Sequence, residues 1–371
     1  MNTLLWCAGA LALVVVVRPL LGASPTATSD ADQPAQRLAV PEHGAYTGAY
    51  LDFGAREDEV TLDKIEAFNE LVGKRQALIG FSNYWGRERF PDEQVRIVAN
   101  AGAVSLIYWN PWDRQGETEH TRFDLAGIEA GQWDDYLDAW AAAARAFGKP
   151  LLVSWGLEMN GNWFPWSGIF HGAGEPLPGT KPPLSTGPEA FKRAYRHIVD
   201  RVRAAGADNV SWVFHVNNTS DPAVPWNHMA AYYPGGAYAD WLAMSAYGKQ
   251  FPGEGWISVT AAITDHYREL AAIDPDKPIL LAEWGIGEFP KQGDKGQWLT
   301  EAFAAMEHQL PRLKGAVFWH ERWQNGDLSY SNLRVNSSLG ALTAYRAAVA
   351  RPFWLAEPRT LAAPAPTGGG Q

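Results

Sequence analysis

Eight short apolar runs alternate with amphipathic stretches, and this alternation constrains the fold more than any other feature of the sequence. The runs predict strands at residues 45–51, 77–81, 104–109, 151–155, 210–215, 241–245, 279–282 and 316–319. Helical spacing of apolar residues predicts helices at residues 62–72, 92–100, 133–147, 188–205, 257–273, 296–309 and 339–350. Mostly apolar runs are typical of strands buried on both faces. The alternation predicts an α/β fold, a closed (β/α)8 TIM barrel, rather than an open sheet.

One barrel domain is expected from residue 44 to residue 356. Barrels of about this length are routinely single domains, and a hydrophobic content of 46% provides for a large core. Residues 24–43 are rich in Ala, Ser, Thr, Pro and Asp, which predicts a linker. Residues 357–371 contain Ala-Pro repeats and end in three glycines before Gln371, which predicts a disordered tail.

The first apolar stretch, residues 4–17, predicts a signal peptide. It is shorter than the ~20 residues of a membrane span, and small residues suited to cleavage follow it. We therefore expect residues 1–23 to direct the protein to the periplasm or the outside. No Lys or Arg precedes the run, so an uncleaved membrane anchor through residues 4–17 is the alternative. The single cysteine, Cys7, excludes an internal disulfide.

Charge and motifs narrow the classes of ligand. The net charge of -10, without a basic block, argues against nucleic acid, whose phosphates need Lys and Arg. No HExxH or other close pair of metal ligands occurs, and no Gly-rich phosphate loop follows a first strand. We expect no metal, no nucleotide and no other cofactor, and a monomeric protein. The 18 tryptophans exceed what a core of this size needs, so some should line a binding surface.

Two glutamates follow strands four and seven, at the end of the barrel where active sites of this fold gather. Glu158 lies in the segment WGLEMNGNWFPW at residues 155–166, and Glu283 lies in AEWG at residues 282–285. Carboxylates transfer protons, asparagine amides hydrogen-bond hydroxyl groups, and indole faces stack on sugar rings. This combination indicates carbohydrate chemistry.

Other predicted strand ends carry polar and aromatic residues as well: Asn83-Tyr84-Trp85, Trp109-Asn110-Pro111-Trp112, His215 with Asn217, Tyr247, and Trp319-His320-Glu321. Retaining glycoside hydrolysis uses two carboxyl groups about 5–5.5 Å apart. Strands four and seven lie across the barrel mouth from each other, so Glu158 and Glu283 could face each other over a cleft. Glu288 lies further along its loop and Glu321 follows His320 in a charged run, so both rank lower. Neighbouring indoles would raise the pKa of the acid, and Tyr247 would hydrogen-bond the nucleophile.

The two segments resemble the acid/base and nucleophile segments of glycoside hydrolase family 26, and the resemblance extends from about Gly44 to Arg351. It implies a retaining (β/α)8 enzyme of clan A. The family holds mainly endo-β-mannanases, with some β-glucanases and β-1,3-xylanases. Carried over by position, Glu158 is the acid/base, Glu283 the nucleophile and Tyr247 the residue that orients Glu283. Trp163 and Trp319 resemble aromatic residues that line sugar subsites.

The complete set of expected substrate-binding residues is Trp85, Trp109, Trp112, Asn160, Trp163, Trp166, His215, Trp284 and Trp319. For His215 a sugar contact and a structural role remain open. Mannanases of the family usually carry a His before the acid/base and an Asp two residues before the Tyr, where this chain has Leu157 and Ser245.

We therefore expect a retaining endo-β-glycanase whose backbone sugar is unsettled between β-mannan, β-glucan and a bacterial exopolysaccharide. The alternative from another class is a non-catalytic polysaccharide-binding barrel in exopolysaccharide assembly. Transglycosylation would use the same residues as hydrolysis.

Overall fold

The computed structural model describes residues 35–86, 89–113 and 122–363. Eight parallel strands form a closed barrel in the order of the chain, and the first strand pairs with the eighth to complete the ring. The strands are Ala45–Tyr50, Leu78–Tyr84, Val104–Asn110, Leu151–Trp155, Val210–Asn217, Trp241–Tyr247, Ile279–Gly285 and Leu313–Trp319. The predicted (β/α)8 barrel is confirmed, because each predicted strand overlaps one of these eight barrel strands.

Helices surround the barrel. They are Leu62–Val72, Asp92–Asn100, Leu125–Glu129, Asp134–Phe147, Thr186–Ala204, Asp265–Ile273, Lys295–His308 and Leu339–Val349. The short helix Leu125–Glu129 differs from the sequence-based expectation of a long loop before residue 133. A π-helical turn, Thr260–Thr264, precedes Asp265–Ile273, so the helix expected from residue 257 begins later and less regularly.

Local signals explain where the first of these helices begins and ends. The Thr61 side chain accepts a hydrogen bond from the backbone N–H of Lys64, which satisfies a donor of the first turn. Gly73 follows the last turn in a left-handed conformation that glycine adopts without strain. Ile65, Phe68 and Val72 form the buried face toward the barrel.

The connection from the fifth to the sixth barrel strand contains no α-helix. Two 3-10 helices, Pro225–Asn227 and Met229–Tyr232, occupy this position. A third 3-10 helix, Gly168–Phe170, lies in the long loop after the fourth strand.

Part of the expected linker and part of the expected tail form strands, which differs from the prediction for both segments. Gln36–Leu38 pairs antiparallel with Thr360–Ala362. The backbone N–H of Ala39 also donates to the carbonyl of Arg359 at 2.8 Å. Segments of three residues gave no strand signal, and their pairing partners lie more than 300 residues away in the chain. The expected signal peptide or anchor, residues 1–23, lies outside the described residues.

The barrel strands are buried along nearly their whole length, as expected for strands with side chains on both a packed interior and a helix-covered exterior. Trp109 shows this on the outer face: it stacks on Trp140 of a surrounding helix, with ring centroids 4.1 Å apart. Within the described part of the chain, no helix combines the length and the apolar character needed to cross a membrane.

Candidate active site

A cleft of about 1030 Å³ opens at the carboxyl ends of the barrel strands. Its floor and walls include Glu57, Ser82, Tyr84, Tyr108, Asn110, Trp112, Leu157, Glu158, Trp163, Phe164, Asn217, Tyr247, Lys249, Glu283, Trp319, Glu321 and Trp323. The structure thus brings Glu158, Glu283 and Tyr247, which are distant in sequence, into one cavity.

Glu158 is held in the cleft by a tight loop after the fourth strand. Gly156 and Glu158 both have positive φ, +60° and +55°, and a Cβ on Gly156 would lie 3.0 Å from the Phe191 ring. The backbone N–H of Glu158 donates to the carbonyl of His215 at 2.8 Å. A non-glycine residue in this backbone region is strained, and such strain concentrates at functional sites.

Trp163 folds back over this loop and contacts the carboxylate. Its indole Nε1–H donates to Oε2 of Glu158 at 2.7 Å. A Cβ on Gly161 would lie 2.5 Å from the Trp163 ring, so the glycine is what lets the indole approach. The Ser245 hydroxyl also favours the charged form of Glu158 and lowers the pKa of its carboxyl group. Two donors therefore stabilise the ionised form of a carboxyl group that is only 8% exposed.

Glu283 is directed into the cleft by a bulge in the seventh strand. Met244 pairs with Leu281 and the next residue, Ser245, pairs with Glu283, so Ala282 is the extra residue. A bulge turns the following side chain relative to the regular strand. The carbonyl of Ala282 accepts a 2.7 Å hydrogen bond from the Tyr108 hydroxyl across the barrel. Tyr247 donates its hydroxyl to Oε2 of Glu283 at 2.8 Å, which is the hydrogen bond expected from the sequence.

Burial raises the pKa of both glutamates above the ordinary carboxyl range. Desolvation is the main cause for Glu158, and its two hydrogen-bond donors oppose it. Desolvation is also the main cause for Glu283, followed by the negative charge of Glu158, while the Tyr247 hydroxyl opposes the rise. Like charges in one desolvated cleft disfavour joint ionisation, so the pair titrates as a unit that retains one proton at a higher pH than isolated glutamates would.

Two further glutamates lie in the same cleft. Glu57, on the loop after the first strand, accepts a 2.6 Å hydrogen bond from the Ser82 hydroxyl, and burial and the charge of Glu158 raise its pKa. Glu321 accepts from the Trp319 indole at 2.8 Å, and burial raises its pKa to about 7. Sequence reasoning missed Glu57, which follows no apolar run directly, and it ranked Glu321 below Glu158 and Glu283.

Asn110 is a second cleft residue that the sequence-based set omitted. It ends the third strand beside Tyr84 of the second, and it is only 4% exposed. Its Oδ1 has no hydrogen-bond partner among the described residues. A buried acceptor without a partner is costly, so this amide is suited to receive a hydroxyl group of a ligand. The position at a strand end was the available signal.

Three of the expected aromatic residues line the cleft: Trp112, Trp163 and Trp319. Trp319 stacks on Tyr50 with ring centroids 3.8 Å apart, which fixes the plane of its indole. Trp323, which follows the eighth strand, also lines the cleft and packs edge-on against Phe251. These indoles present apolar faces beside carboxylates, the combination that suits a sugar ring.

Four expected tryptophan contacts differ from the structure, because Trp85, Trp109, Trp166 and Trp284 are buried and do not line the cleft. The first two lie in an aromatic layer outside the barrel, with ring centroids 5.4 Å apart. Trp284 packs against Phe303 and Phe318 on the outer face of the seventh strand. Trp166 donates its indole N–H to the carbonyl of Leu157 at 2.7 Å and so supports the loop from behind. Alternation along a strand turned the side chains of Trp109 and Trp284 away from the cavity.

Asn160 and His215 also differ from the expected sugar contacts. The Asn160 amide donates to the carbonyl of Asn217 at 2.9 Å, and its Oδ1 accepts from the backbone N–H of the same residue. Asn160 therefore clamps two loops together. His215 is fully buried between the hydroxyl groups of Ser154 and Ser245 and does not line the cleft.

No group of three or more His, Cys, Asp or Glu side chains placed to hold a metal ion occurs among residues 35–86, 89–113 and 122–363. The cationic side chain in the cleft lining, Lys249, donates to the carbonyl groups of Pro252 and Glu254. The cleft lining presents carboxyl groups, amides, hydroxyls and indoles to a ligand.

Comparison with known proteins relates this site to one family. Residues 133–294, which contain both Glu158 and Glu283, match the model of glycosyl hydrolase family 26. The chain is 30% identical over 318 residues to Endoglucanase H of Acetivibrio thermocellus, covering 85% of this chain and 31% of that protein. It is 25% identical over 300 residues to Mannan endo-1,4-beta-mannosidase A and B of Caldalkalibacillus mannanilyticus, covering 73% of this chain and 52% of that protein. The chain thus spans between about a third and about half of the length of these relatives.

The fold agrees with these relationships. The Cellulomonas fimi endo-beta-1,4-mannanase double mutant superimposes with a TM-score of 0.59 at 20% identity, covering 84% of this chain and 72% of that chain. This likeness concerns the fold alone. The family match across both glutamates and the sequence relatives make the barrel of this chain similar to glycosyl hydrolase family 26, and the barrel architecture agrees with that similarity.

Proposed function

We propose that this barrel is a retaining endo-β-glycanase that cleaves a β-linked polysaccharide by double displacement. The observation that carries the proposal is the pair of buried glutamates in one cleft, Glu158 with Trp163 and Ser245 as donors and Glu283 with Tyr247 as donor. Their positions at the ends of the fourth and seventh strands support the assignment of Glu158 as acid/base and Glu283 as nucleophile.

In the first step, Glu158 protonates the departing glycosidic oxygen while a carboxylate oxygen of Glu283 attacks the anomeric carbon. The bond to the leaving sugar breaks and a glycosyl–Glu283 ester forms. In the second step, the Glu158 carboxylate removes a proton from water, and the resulting hydroxyl attacks the same carbon and releases Glu283. Configuration is retained because each step inverts it once.

The electrostatics of the cleft favour a neutral backbone sugar. Glu57 and Glu321 add carboxyl groups to the catalytic pair, and Lys249 is occupied by carbonyl oxygens. A uronic acid would bring a further negative charge into this desolvated cleft, where the cation of the lining is already engaged, and burying a charge without a partner is costly. Leu157 provides no polar group beside Glu158, and the Ser245 hydroxyl is engaged by His215. These are the two positions at which mannanases of the family usually carry a His and an Asp. Because one relative is named an endoglucanase and another a mannosidase, we place β-glucan first and β-mannan second.

The test is the release of reducing ends from mixed-linkage β-glucan, mannan, glucomannan, β-1,3-xylan and bacterial exopolysaccharides. We expect activity on at least one neutral polymer and its loss in Glu158→Ala and Glu283→Ala. Glu288→Gln is the matched control, because Glu288 lies outside the cleft lining and a glutamine still accepts from Ser337. Wild-type rates in both alanine variants would contradict the proposal. Binding without cleavage on every polymer would favour the non-catalytic barrel instead.

We further propose that the protein is exported and that residues 1–23 are the export signal. The apolar run at residues 4–17 and the small residues after it support this assignment. Sequencing the amino terminus of the protein purified from its native host tests it. A mature terminus near Ala23 supports cleavage, and an intact terminus found with membranes supports the anchor.

A further inference from the structure

A buried chain of hydrogen bonds lies directly beneath Glu158. The Ser154 hydroxyl and Nδ1 of His215 are 3.0 Å apart, and Nε2 of His215 and the Ser245 hydroxyl are 2.9 Å apart. The Ser245 hydroxyl in turn lowers the pKa of the Glu158 carboxyl group, the effect of a donor directed at the carboxylate. Each of Ser154, His215 and Ser245 has 0% of its surface exposed. The chain links the fourth, fifth and sixth strands to the proposed acid/base.

The surroundings determine the direction in which hydrogen bonds are donated from Ser154 through His215 to Ser245. The Ser154 hydroxyl contacts no acceptor other than His215 among the described residues, so its hydrogen is directed at Nδ1. Burial lowers the pKa of His215 to about 3, so the imidazole is neutral at ordinary pH and carries one hydrogen. That hydrogen then resides on Nε2 and is donated to the Ser245 oxygen. The Ser245 hydrogen remains for Glu158.

We propose that His215 is a positioning residue that, through Ser245, holds a hydrogen-bond donor on Glu158 and thereby favours the carboxylate needed to activate water. The inference rests on the proposed function and deepens it. A donor to the charged form of a carboxyl group stabilises that form, and a hydroxyl fixed from behind cannot turn away. His215 acts at a distance from substrate, because it does not line the cleft.

Other titratable groups also face Glu158, and the experiment must separate them from the chain. They are Glu57 from the loop after the first strand, Tyr108 from the third strand, Tyr247 from the sixth and Glu283 from the seventh. Facing His215, the titratable group is Tyr108, with ring centroids 6.1 Å apart. Burial alone accounts for the lowered pKa of His215. Substitutions at His215 and Ser245 therefore alter the hydrogen bonds beneath Glu158 without removing a charge from the cleft.

Three variants separate the chain from simple packing. His215→Leu removes both ring nitrogens, and Ser245→Ala removes only the terminal donor. His215→Gln is the conservative control, because a glutamine amide has one acceptor and one donor group to replace the two ring nitrogens of His215. The double variant His215→Leu/Ser245→Ala tests whether the two residues act through one path, since effects along one path are not additive.

The primary readout is the pKa of Glu158 measured without substrate. Infrared titration follows the protonated carboxyl band that disappears in Glu158→Gln. We expect this pKa to rise by about one unit in His215→Leu and in Ser245→Ala, to rise no further in the double variant, and to stay at the wild-type value in His215→Gln. This readout is independent of turnover, so it holds even where no polymer is cleaved.

Where a polymer is cleaved, the alkaline limb of kcat/KM reports the same group and should move upward by the same amount with KM unchanged. An unchanged Glu158 pKa in Ser245→Ala would overturn the inference. So would a shift in His215→Gln equal to that in His215→Leu, which would show that packing rather than hydrogen bonding is responsible. Ser245→Ala removes a single oxygen atom, so the test stands if His215→Leu does not fold.

Discussion

The Tyr247 hydroxyl donates a 2.8 Å hydrogen bond to Oε2 of Glu283, and the bulge at Ala282 points that carboxyl group toward it. The negative charge of Glu158 raises the pKa of the same glutamate. The donor and the opposing charge act in opposite directions on the ionisation of Glu283. The Tyr247 hydrogen bond therefore both orients the proposed nucleophile and lowers its pKa, against the opposite effect of the Glu158 charge.

Tyr247→Phe should lower kcat by about 10- to 100-fold, because a hydrogen bond to a charged group contributes roughly 1.5–3 kcal/mol. The acid limb of the pH profile should move upward, since the ionised form of Glu283 loses its donor. Steady-state kinetics across pH measure both effects. An acid limb that stays in place would show that Tyr247 does not act on the nucleophile.

The two glutamates should differ in how azide restores activity. In Glu158→Ala on a substrate with a good leaving group, azide should trap the glycosyl–Glu283 ester and give a β-glycosyl azide. In Glu283→Ala, azide should attack directly and give the α-glycosyl azide. NMR of the anomeric proton distinguishes the products. The same anomer from both variants would contradict the assigned roles.

Trp163 and Trp284 provide a matched pair of indoles. Trp163→Phe keeps an aromatic face in the cleft but loses the N–H on Glu158, so kcat should fall by about 10-fold or more while stability changes little. Trp284→Phe should leave KM unchanged and lower the free energy of unfolding by about 1–3 kcal/mol, because this indole packs in the core. Kinetics and denaturant unfolding of both variants test the contrast. Equal loss of activity in both would contradict the placement of Trp284 outside the cleft.

Glu321 should make stability fall as pH rises. Burial raises its folded-state pKa from 4.5 to about 7, so in this window the folded protein keeps a proton that the unfolded chain releases. Glu321→Gln cannot ionise and still accepts from Trp319. Its melting temperature relative to wild type should therefore increase from about pH 4.5 to about pH 7, by a few degrees, and then level off. A constant difference across this window would show that Glu321 ionises normally.

Asn160 should be structural and its neighbour Asn162 should not. Asn160→Ala leaves buried backbone groups of the Asn217 loop without partners, so the free energy of unfolding should fall by about 2–4 kcal/mol. Asn162 is exposed and contacts Asp221, so Asn162→Ala should cost about 0.5 kcal/mol or less. Chemical denaturation measures both values. Similar losses would contradict the clamp assigned to Asn160.

Local sequence patterns were sufficient for the architecture. The spacing of Ile65 and Phe68 predicted the first helix, and apolar runs predicted all eight barrel strands. Such patterns indicate which face of a segment is buried against the rest of the protein. Each segment carries this information in its own residues. The positions of Glu158 and Glu283 after the fourth and seventh strands followed from the same count, because parallel strands bring their carboxyl ends to one edge.

The distribution of the tryptophans was decided by tertiary structure. Trp112 and Trp85 both follow barrel strands, yet one lines the cleft and the other packs outside the barrel. The backbone direction at a strand end sets this choice, and turns such as the one at Gly156 change it within a few residues. Composition predicts that indoles are present, whereas only the folded chain determines which face each one presents.

The contacts that tune the site also arise between residues far apart in sequence. His215 reaches Ser154 and Ser245 from a different strand, and Glu57 reaches the cleft from a loop whose sequence shows no strand or helix pattern. The sequence by itself determined the barrel, its strand order and the two glutamates, because these depend on local periodicity and chain order. Tertiary structure alone decided the hydrogen-bond donors and neighbouring charges of those glutamates, because such contacts depend on which strands the closed barrel places side by side.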